Sequence, residues 1–584
     1  MRAWLIFVAI AIAVGFTYFF LAQPTSTPLG LHYASHSQRD FYPTLVADIQ
    51  VPAVSHVDGA IVSHHLYAEA DIAKLFLAMS AQKPPVVVII GPNHFTAGIN
   101  NIQVSRYAYE TPWGRLNPHQ ETIDYLIKNS NAFQEEKSFE REHSISALVT
   151  FVKYAFPDTQ FVPIIVKRDI SMARMEKLAK DLDDILPEDA LVIASVDFSH
   201  HGNRFMAQFH DDKSVGTIES FDFNNIPQLE IDSPPSIYAL LKYLRFRDAQ
   251  KMAYTRTDSA KIGNNILSED VTSYLFAHFF KGPIEAKPTI STLHFGDIMV
   301  DRAVQPKIAR GLNPFKKIKG VEGNFFRGMD WILANLEGPI TETTDCQKKE
   351  IVFSFPLSTV ALLKSNNITA VNLANNHSYD CKAIGLADTK KYLKDGDVDF
   401  FGTISGDSSI VTKTVQGKTI AFLGVDLISP SPARLQAFLD SITTAKQNND
   451  YVIAHVHWGV EYQKLPSADQ QKIGHQIVDA GADVVIGHHP HVIEPVEIYK
   501  GKAIFYSLGN FVFDQYMPGT KEGIGVGVIQ QDDLMRFTIF PFDIIEYQPQ
   551  LKPITKTLET CAFVLKDIPK RDGCSFEIQT KINL

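Results

Sequence analysis

The residues able to do chemistry arrive in clusters, and each cluster follows an apolar run. In the C-terminal half, Ile290 to Phe295 leads to Gly296-Asp297, Trp331 to Ala334 leads to Asn335-Leu336-Glu337-Gly338, and Thr369 to Ala374 leads to Asn375-Asn376-His377. Tyr451 to Val456 leads to His457-Trp458-Gly459 with Glu461 just beyond. Asp483 to Ile486 leads to Gly487-His488-His489-Pro490-His491, and Ala503 to Tyr506 to Ser507-Leu508-Gly509-Asn510. Carboxylates supply hard anionic oxygens, Asn a neutral carbonyl and His a nitrogen, a donor set suited to Mn, Fe or Zn. His489 and His491, two apart, would project to one side of an extended segment and share a metal zone. One or two divalent ions fit this set, and two ions ~3.5–4 Å apart would clamp a phosphoryl group. Gly-Asp alone is an ordinary turn and Asn-Asn-His an ordinary cap; the ordered series carries the reading. His455 and His475 are assigned structural places, one on a strand facing the other way and one on a helix face.

The N-terminal half holds a second series. Ile61-Val62-Ser63 precedes His64-His65, and Val86 to Ile90 precedes Gly91-Pro92-Asn93-His94. Further on stand Glu140-Arg141-Glu142-His143-Ser144, Asp197-Phe198-Ser199-His200-His201-Gly202 and Asp232-Ser233-Pro234-Pro235. Two histidines with one carboxylate make the facial triad of non-haem Fe(II) sites, and a further histidine nearby would move a proton. The plainer alternative is turn chemistry at Gly-Pro-Asn-His and a solvated ion cluster around Arg141.

Positioning these groups requires α/β architecture. From about residue 29 to 281, β-branched runs such as Pro85 to Ile90, Phe161 to Val166 and Ala190 to Ala194 alternate with helical patterns such as Met172 to Ile185. That alternation implies a largely buried sheet. Lys281 to Pro288 reads as a Gly/Pro junction, and a second alternating series follows. In open α/β sheets ligands bind beyond the carboxyl ends of the strands, where both sets of clusters lie. The expected layout is 1–22 a signal anchor or transmembrane helix, 23–44 a linker, 45–281 a first domain, 282–288 a linker, 289–547 a second domain and 548–584 a tail.

The chain has 584 residues, 45% of them hydrophobic, and a formal charge of −10. This acidic balance, with no Lys/Arg-rich block, argues against nucleic acid as a partner. Ala3 to Ala22 is uncharged and long enough, at ~1.5 Å per residue, to span a bilayer core. With Arg2 before it, this stretch is expected to be an uncleaved anchor at the cell membrane, a single pass leaving the bulk of the chain extracytoplasmic. Four cysteines, all in the C-terminal half, would be able to pair there; Cys346 with Cys381 and Cys561 with Cys574 is one of three connectivities.

The series Gly-Asp, Asn-Leu-Glu, Asn-Asn-His, His-Trp-Gly-Val-Glu, Gly-His-His-Pro-His and Ser-Leu-Gly-Asn-Phe-Val-Phe resembles the poly-γ-glutamate capsule-biosynthesis (CapA) family over roughly residues 289–545. The resemblance implies a calcineurin-like metallophosphatase sandwich. It also implies Asp297, Glu337, Asn376, His457, His489 and His491 as metal ligands, and His377 as proton donor to a leaving group. The Asp-x-His usual in metallophosphatases is Asp297-Ile298-Met299 here, which removes one ligand. The motifs Gly-Pro-Asn-His, Glu-Arg-Glu-His-Ser-Ile and Asp-Phe-Ser-His resemble the Memo-like family (AmmeMemoRadiSam system protein B), related in fold to class III extradiol dioxygenases, over about residues 45–280. That resemblance implies a pocket lined by His64, His94 and His200. Asp232 would supply its carboxylate, and iron or copper would sit with His64, His94 and Asp232.

No Gly-x-Ser-x-Gly elbow or Walker loop supplies another nucleophile or a nucleotide cradle. The expected function is thus a metal-dependent hydrolase acting on envelope or capsular polymer. A polymer-binding assembly protein is the alternative, as is a dioxygenase-like redox activity in the first half.

Overall fold

The computed structural model describes residues 30–580 apart from 36–40, 48, 55, 285–286, 404–407 and 430. The first domain is built on an eight-stranded sheet. Its centre is four parallel strands in the spatial order Gly59–Val62, Leu191–Ser195, Val86–Pro92 and Gln160–Val166. All are rich in Val and Ile and buried except at Gln160, as a sheet covered on both faces demands. Helices Glu69–Met79 and Val149–Ala155 pack on one face, and Met172–Ile185 and Pro234–Phe246 on the other.

The second domain is a sixteen-stranded hydrogen-bonded sheet whose main path runs through twelve strands and folds back on itself, the other four branching from it. Strand Lys502–Phe505 lies near one end of the path and Leu534–Ile545 near the other. Yet Phe505 meets Phe537 at 5.8 Å and Phe576 at 6.3 Å between ring centroids, so the two halves form facing layers. Strands Thr289–Ile298, Trp331–Leu336 and Ala370–Asn372 run parallel in one layer, and Tyr451–His457 and Val484–His488 run parallel in the other. Their carboxyl ends therefore open at the same edge of the sandwich. Residues 548–580, read above as a tail, supply strands Gln548–Leu551 and Ser575–Gln579 to this sheet, with helix Ile554–Val564 between them. The cysteines pair as Cys346–Cys381 and Cys561–Cys574.

The domains are packed together. Helix Arg204–Glu219 of the first, capped by Asn203, sends Phe205, Met206 and Phe209 into the core of the second. Beside them a buried Lys213 Nζ donates to Asp330 at 2.7 Å.

The membrane expectation is corrected. Among the described residues no helix is long and apolar enough to cross a membrane; the longest, Pro432–Asn448, has 17 residues and carries charges, against the ~20 apolar residues a span needs. Residues 1–22, on which the anchor and the single-pass localisation rested, lie outside the described residues, so neither assignment is retained.

Candidate metal centres

At the open edge of the sandwich, Asp297, Glu337, His457, His489 and His491 come together, all buried. Their ligand atoms form interlocking groups, Asp297–Glu337–His491 and Glu337–His457–His489, each with every atom within 4.8 Å of the others. Glu337 belongs to both groups. Its two oxygens have no hydrogen-bond partner although the residue is fully buried. His491 Nε2 lies 3.6 Å and His457 Nε2 3.9 Å from Glu337 Oε1. These separations are too long for hydrogen bonds, but donors ~2.1 Å from one ion stand about 3–3.5 Å apart or somewhat more. The donor set and the orphaned carboxylate fit a divalent cation.

The backbone explains the convergence. Gly296 precedes Asp297 where the strand meets Gly509; a Cβ there would stand 1.8 Å from the Gly509 carbonyl oxygen, so only glycine allows the approach. The Val484–His488 strand ends before the histidine pair, and His489 (φ 96°) and His491 (φ 57°) are left-handed rather than extended. The turn still sets their rings 5.8 Å apart. Non-glycine residues held at positive φ are costly and concentrate at functional sites.

A second layer fixes the ligands. Asn335 Nδ2 donates to Asp297 Oδ1 at 2.8 Å, and Asn335 Oδ1 accepts from Asn372 and Asn375. Asn510 Oδ1 meets His491 Nδ1 at 2.9 Å, leaving Nε2 to face Glu337. Asn376 is half-buried beside the cluster, its Oδ1 2.9 Å from His457 Nε2. Met299, by contrast, is buried in the core, its sulfur accepting from the Asp301 amide at 3.2 Å.

Burial and neighbouring charges shift the titration of the cluster. Burial pushes Glu337 well above the carboxylate range. Burial also pushes Asp297 up, but His488 and His491 outweigh it and hold the group well below its usual value. His491 is raised to about 9, because Glu337 and Asp297 overcome its burial. Burial drives His489 down to about 3.

His377 stands at the margin of the cluster. Its Nδ1 donates to Asp380 Oδ2 at 2.7 Å and its ring lies 4.3 Å from that of Phe353. Three residues escaped the sequence reading. Glu461 was noted but not given a role, and it groups with His489 and His491. His488 Nδ1 lies 3.5 Å from Asp297 Oδ1, and its Nε2 meets His455 Nδ1 at 3.0 Å. His455 in turn reaches His294 at 3.2 Å, so the residue set aside as a bystander is the middle of a buried file of three imidazoles ending on Asp297. His475 pairs with Glu497 at 2.8 Å and joins none of the ligand groups.

In the first domain, His64, His94 and Asp232 do meet. His64 Nε2 and His94 Nε2 lie 3.4 and 3.6 Å from Asp232 Oδ2, and Asp197 Oδ2 is 3.5 Å from His64 Nε2. His64 Nε2 and both Asp232 oxygens have no hydrogen-bond partner. His94 Nδ1 bonds Glu142 at 2.7 Å and His64 Nδ1 bonds Ser195 at 3.1 Å, which turns both Nε2 atoms inward. The third imidazole is His143, grouped with His64 and His94, its ring 4.3 Å from that of His94. Its motif was visible in the sequence, but nothing there says which histidine faces inward. His200 lines the adjoining cavity without joining either ligand group. Burial lowers His143 to about 4; His94 rises to about 10 because the Asp232 and Glu142 carboxylates beside it overcome burial.

Comparison with known proteins bears out both motif resemblances. The family described as Bacterial capsule synthesis protein PGA_cap matches residues 291–515, and the Memo-like protein family matches residues 37–252. PGA biosynthesis protein CapA of Bacillus subtilis is 31% identical over 331 residues, 52% of this chain and 86% of that protein. Capsule biosynthesis protein CapA of Bacillus anthracis is 34% identical over 290 residues, 45% of this chain and 69% of that protein. A MEMO1 family protein of Pyrobaculum aerophilum is 29% identical over 171 residues, covering 28% of this chain and 60% of that relative's length.

Proposed function

The chain belongs to the bacterial capsule synthesis protein PGA_cap family and carries a Memo-like domain ahead of that region, and from this premise we propose that its second domain is a metal-dependent hydrolase of capsule biosynthesis. Its substrate class is poly-γ-glutamate or another anionic envelope polymer, in keeping with the names of its relatives. The observation that carries the reading is Glu337, a fully buried carboxylate with both oxygens unpartnered, facing Asp297, His457, His489 and His491. A buried, unpaired carboxylate is costly unless a cation sits beside it.

A divalent ion held there would supply Lewis acidity and draw developing negative charge toward the cluster. The chain's own residues do the rest. Asp380 holds the Nδ1 hydrogen of His377, so Nε2 is the nitrogen that passes a proton to a departing group. Lys349 pairs with Asp380 at 2.5 Å, and Arg302, which lies over Phe353, pairs with Asp514, so both cations near His377 are held by carboxylates. The test is metal content per full-length chain by mass spectrometry, alongside hydrolysis of phosphoesters and poly-γ-glutamate. One or two equivalents, lost together with turnover in His489→Ala/His491→Ala, is the expected result; unchanged activity in that variant would sink the proposal.

Met299 favours a second reading, a metal-holding assembly protein that grips polymer without turnover, since its sulfur is spent in the core. Saturable polymer binding by the His489→Ala/His491→Ala variant, with no hydrolysis by either protein, would select it. For the first domain the same logic proposes iron or copper at His64, His94, His143 and Asp232 with redox chemistry; loss of that metal in His64→Ala is the check.

A further inference from the structure

A cavity of about 400 Å³ opens beside the His94 and Asp232 cluster, and it is not built by the first domain alone. His94, His200 and Asp232 form its floor and Arg168 one wall, while Asn324 and Arg327 of the second domain form the other. The domains are tied at this point, because Asn324 Nδ2 donates to the His200 carbonyl at 3.3 Å.

The two arginines are placed unusually. Arg168 Nη1 donates to the backbone carbonyls of Ile231 and Asp232 at 3.0 and 2.9 Å, and Arg327 Nη2 to that of Glu322 at 3.0 Å. A guanidinium carries five N–H donors, so both keep donors in hand, and among the described residues neither pairs with a carboxylate. They are also near each other: burial and then Arg327 are the leading causes that lower the proton affinity of Arg168. Of the carboxylates in the cavity, Asp232 is engaged by His64 and His94, Glu322 holds Arg327 only through its backbone, and Glu230 is buried without reaching ion-pair distance of Arg327. Two cations that repel one another across one cavity favour an oxyanion between them, which a pair of planar forks holds with several charge-assisted bonds. Asn324 Oδ1, buried and without a partner, adds an acceptor for a hydroxyl or amide on the same ligand.

We propose that this interdomain cavity binds a small molecule bearing a carboxylate or phosphate, with the anionic group between Arg168 and Arg327 and the remainder facing His94 and His200. The second domain thereby completes the ligand site of the first. The assignment depends on the arginines and not on which metal, if any, the histidines hold.

The experiment is calorimetric titration of the full-length chain with succinate and, separately, with inorganic phosphate, before and after chelator treatment. Binding of at least one probe is expected, weakened tenfold or more in Arg168→Gln and in Arg327→Gln alike, with a smaller loss in Arg327→Lys. Preference for succinate identifies a carboxylate ligand and preference for phosphate a phosphorylated one. Binding that disappears with the metal but is indifferent to both arginines would overturn the proposal, as would failure of the wild type to bind either probe. Loss in Arg168→Gln with no change in Arg327→Gln or Arg327→Lys would overturn the interdomain part. Thermal melting of each variant, and the Lys variant in particular, separates lost binding from lost folding.

Discussion

Asp380 Oδ2 takes the Nδ1 hydrogen of His377 at 2.7 Å, and that bond decides which nitrogen of the ring is left for chemistry. With Nδ1 committed, only Nε2 is able to give up a proton at the cluster. Replacing His377 by Gln is expected to lower kcat/KM by about 10²–10⁴-fold on substrates with poor leaving groups. The loss should be much smaller on p-nitrophenyl esters, whose leaving group needs no proton. Metal content should not change. Asp380→Asn is expected to give a smaller loss with the same leaving-group dependence; equal losses on both ester classes would remove His377 from the proton-donor role.

The ligands of this site were legible because each sits directly after an apolar strand, and a strand's carboxyl end is readable from hydrophobic runs. His457, His489 and Glu337 needed only that rule. What supports them was not legible. The His294–His455–His488 file joins strands in different layers of the sandwich, and a strand pattern says which residues share a face but not which sheet lies opposite. The extended path assumed for His489 and His491 failed for a local reason, since positive φ at non-glycine residues leaves no mark in composition. In the first domain the sequence offered six histidines in its clusters, and choosing His143 over His200 required knowing where helix His143–Ser146 docks.

The Lys213–Asp330 pair predicts how the domains stand or fall together. Both side chains are buried, and Asp330 also accepts from the Ser291 amide and hydroxyl. Lys213→Met leaves a desolvated carboxylate unpaired, so it should destabilise the chain by roughly 3–5 kcal/mol. Lys213→Met/Asp330→Asn should recover part of that loss. Denaturant unfolding of the full-length chain measures both, and a loss under about 1 kcal/mol for the single variant would show that the pair is effectively solvated.

Glu494 gives a pH dependence outside the candidate metal groups. Burial pushes its carboxyl up to about 7, against the hydrogen bond from Gln470, which favours the ionised form. A carboxyl raised in the folded state contributes its stability below the unfolded value near 4.5 and loses it as pH rises toward 7. Glu494→Gln should therefore match the wild type near pH 4.5 and exceed it at pH 8, by roughly 2–3 kcal/mol. Melting curves at the two pH values decide the matter; a variant less stable at pH 8 would mean the ionised form is well solvated.

Removing the metal should reveal which charge replaces it. In the ion-free protein His491, raised to about 9 by Glu337 and Asp297, carries the positive charge at the centre, and burial keeps a proton on Glu337. Both groups bind protons more tightly folded than unfolded, so both stabilise most at low pH. The stability from His491 is complete below the ordinary histidine value of about 6.5 and fades as pH climbs toward 9, and that from Glu337 begins to fade from about 4.5. An ion displaces those protons, and binding to the folded state alone adds about 2.7 kcal/mol at a hundredfold excess over Kd. The Tm difference between metal-loaded and chelator-treated chain should accordingly widen from pH 5 to pH 8. Glu337→Gln removes the buried charge and the shared ligand together. It should raise the melting point of the chelated protein at pH 8 and abolish the response to added Mn²⁺ or Zn²⁺. A variant that still gained the full wild-type increment on adding metal would place the ion elsewhere.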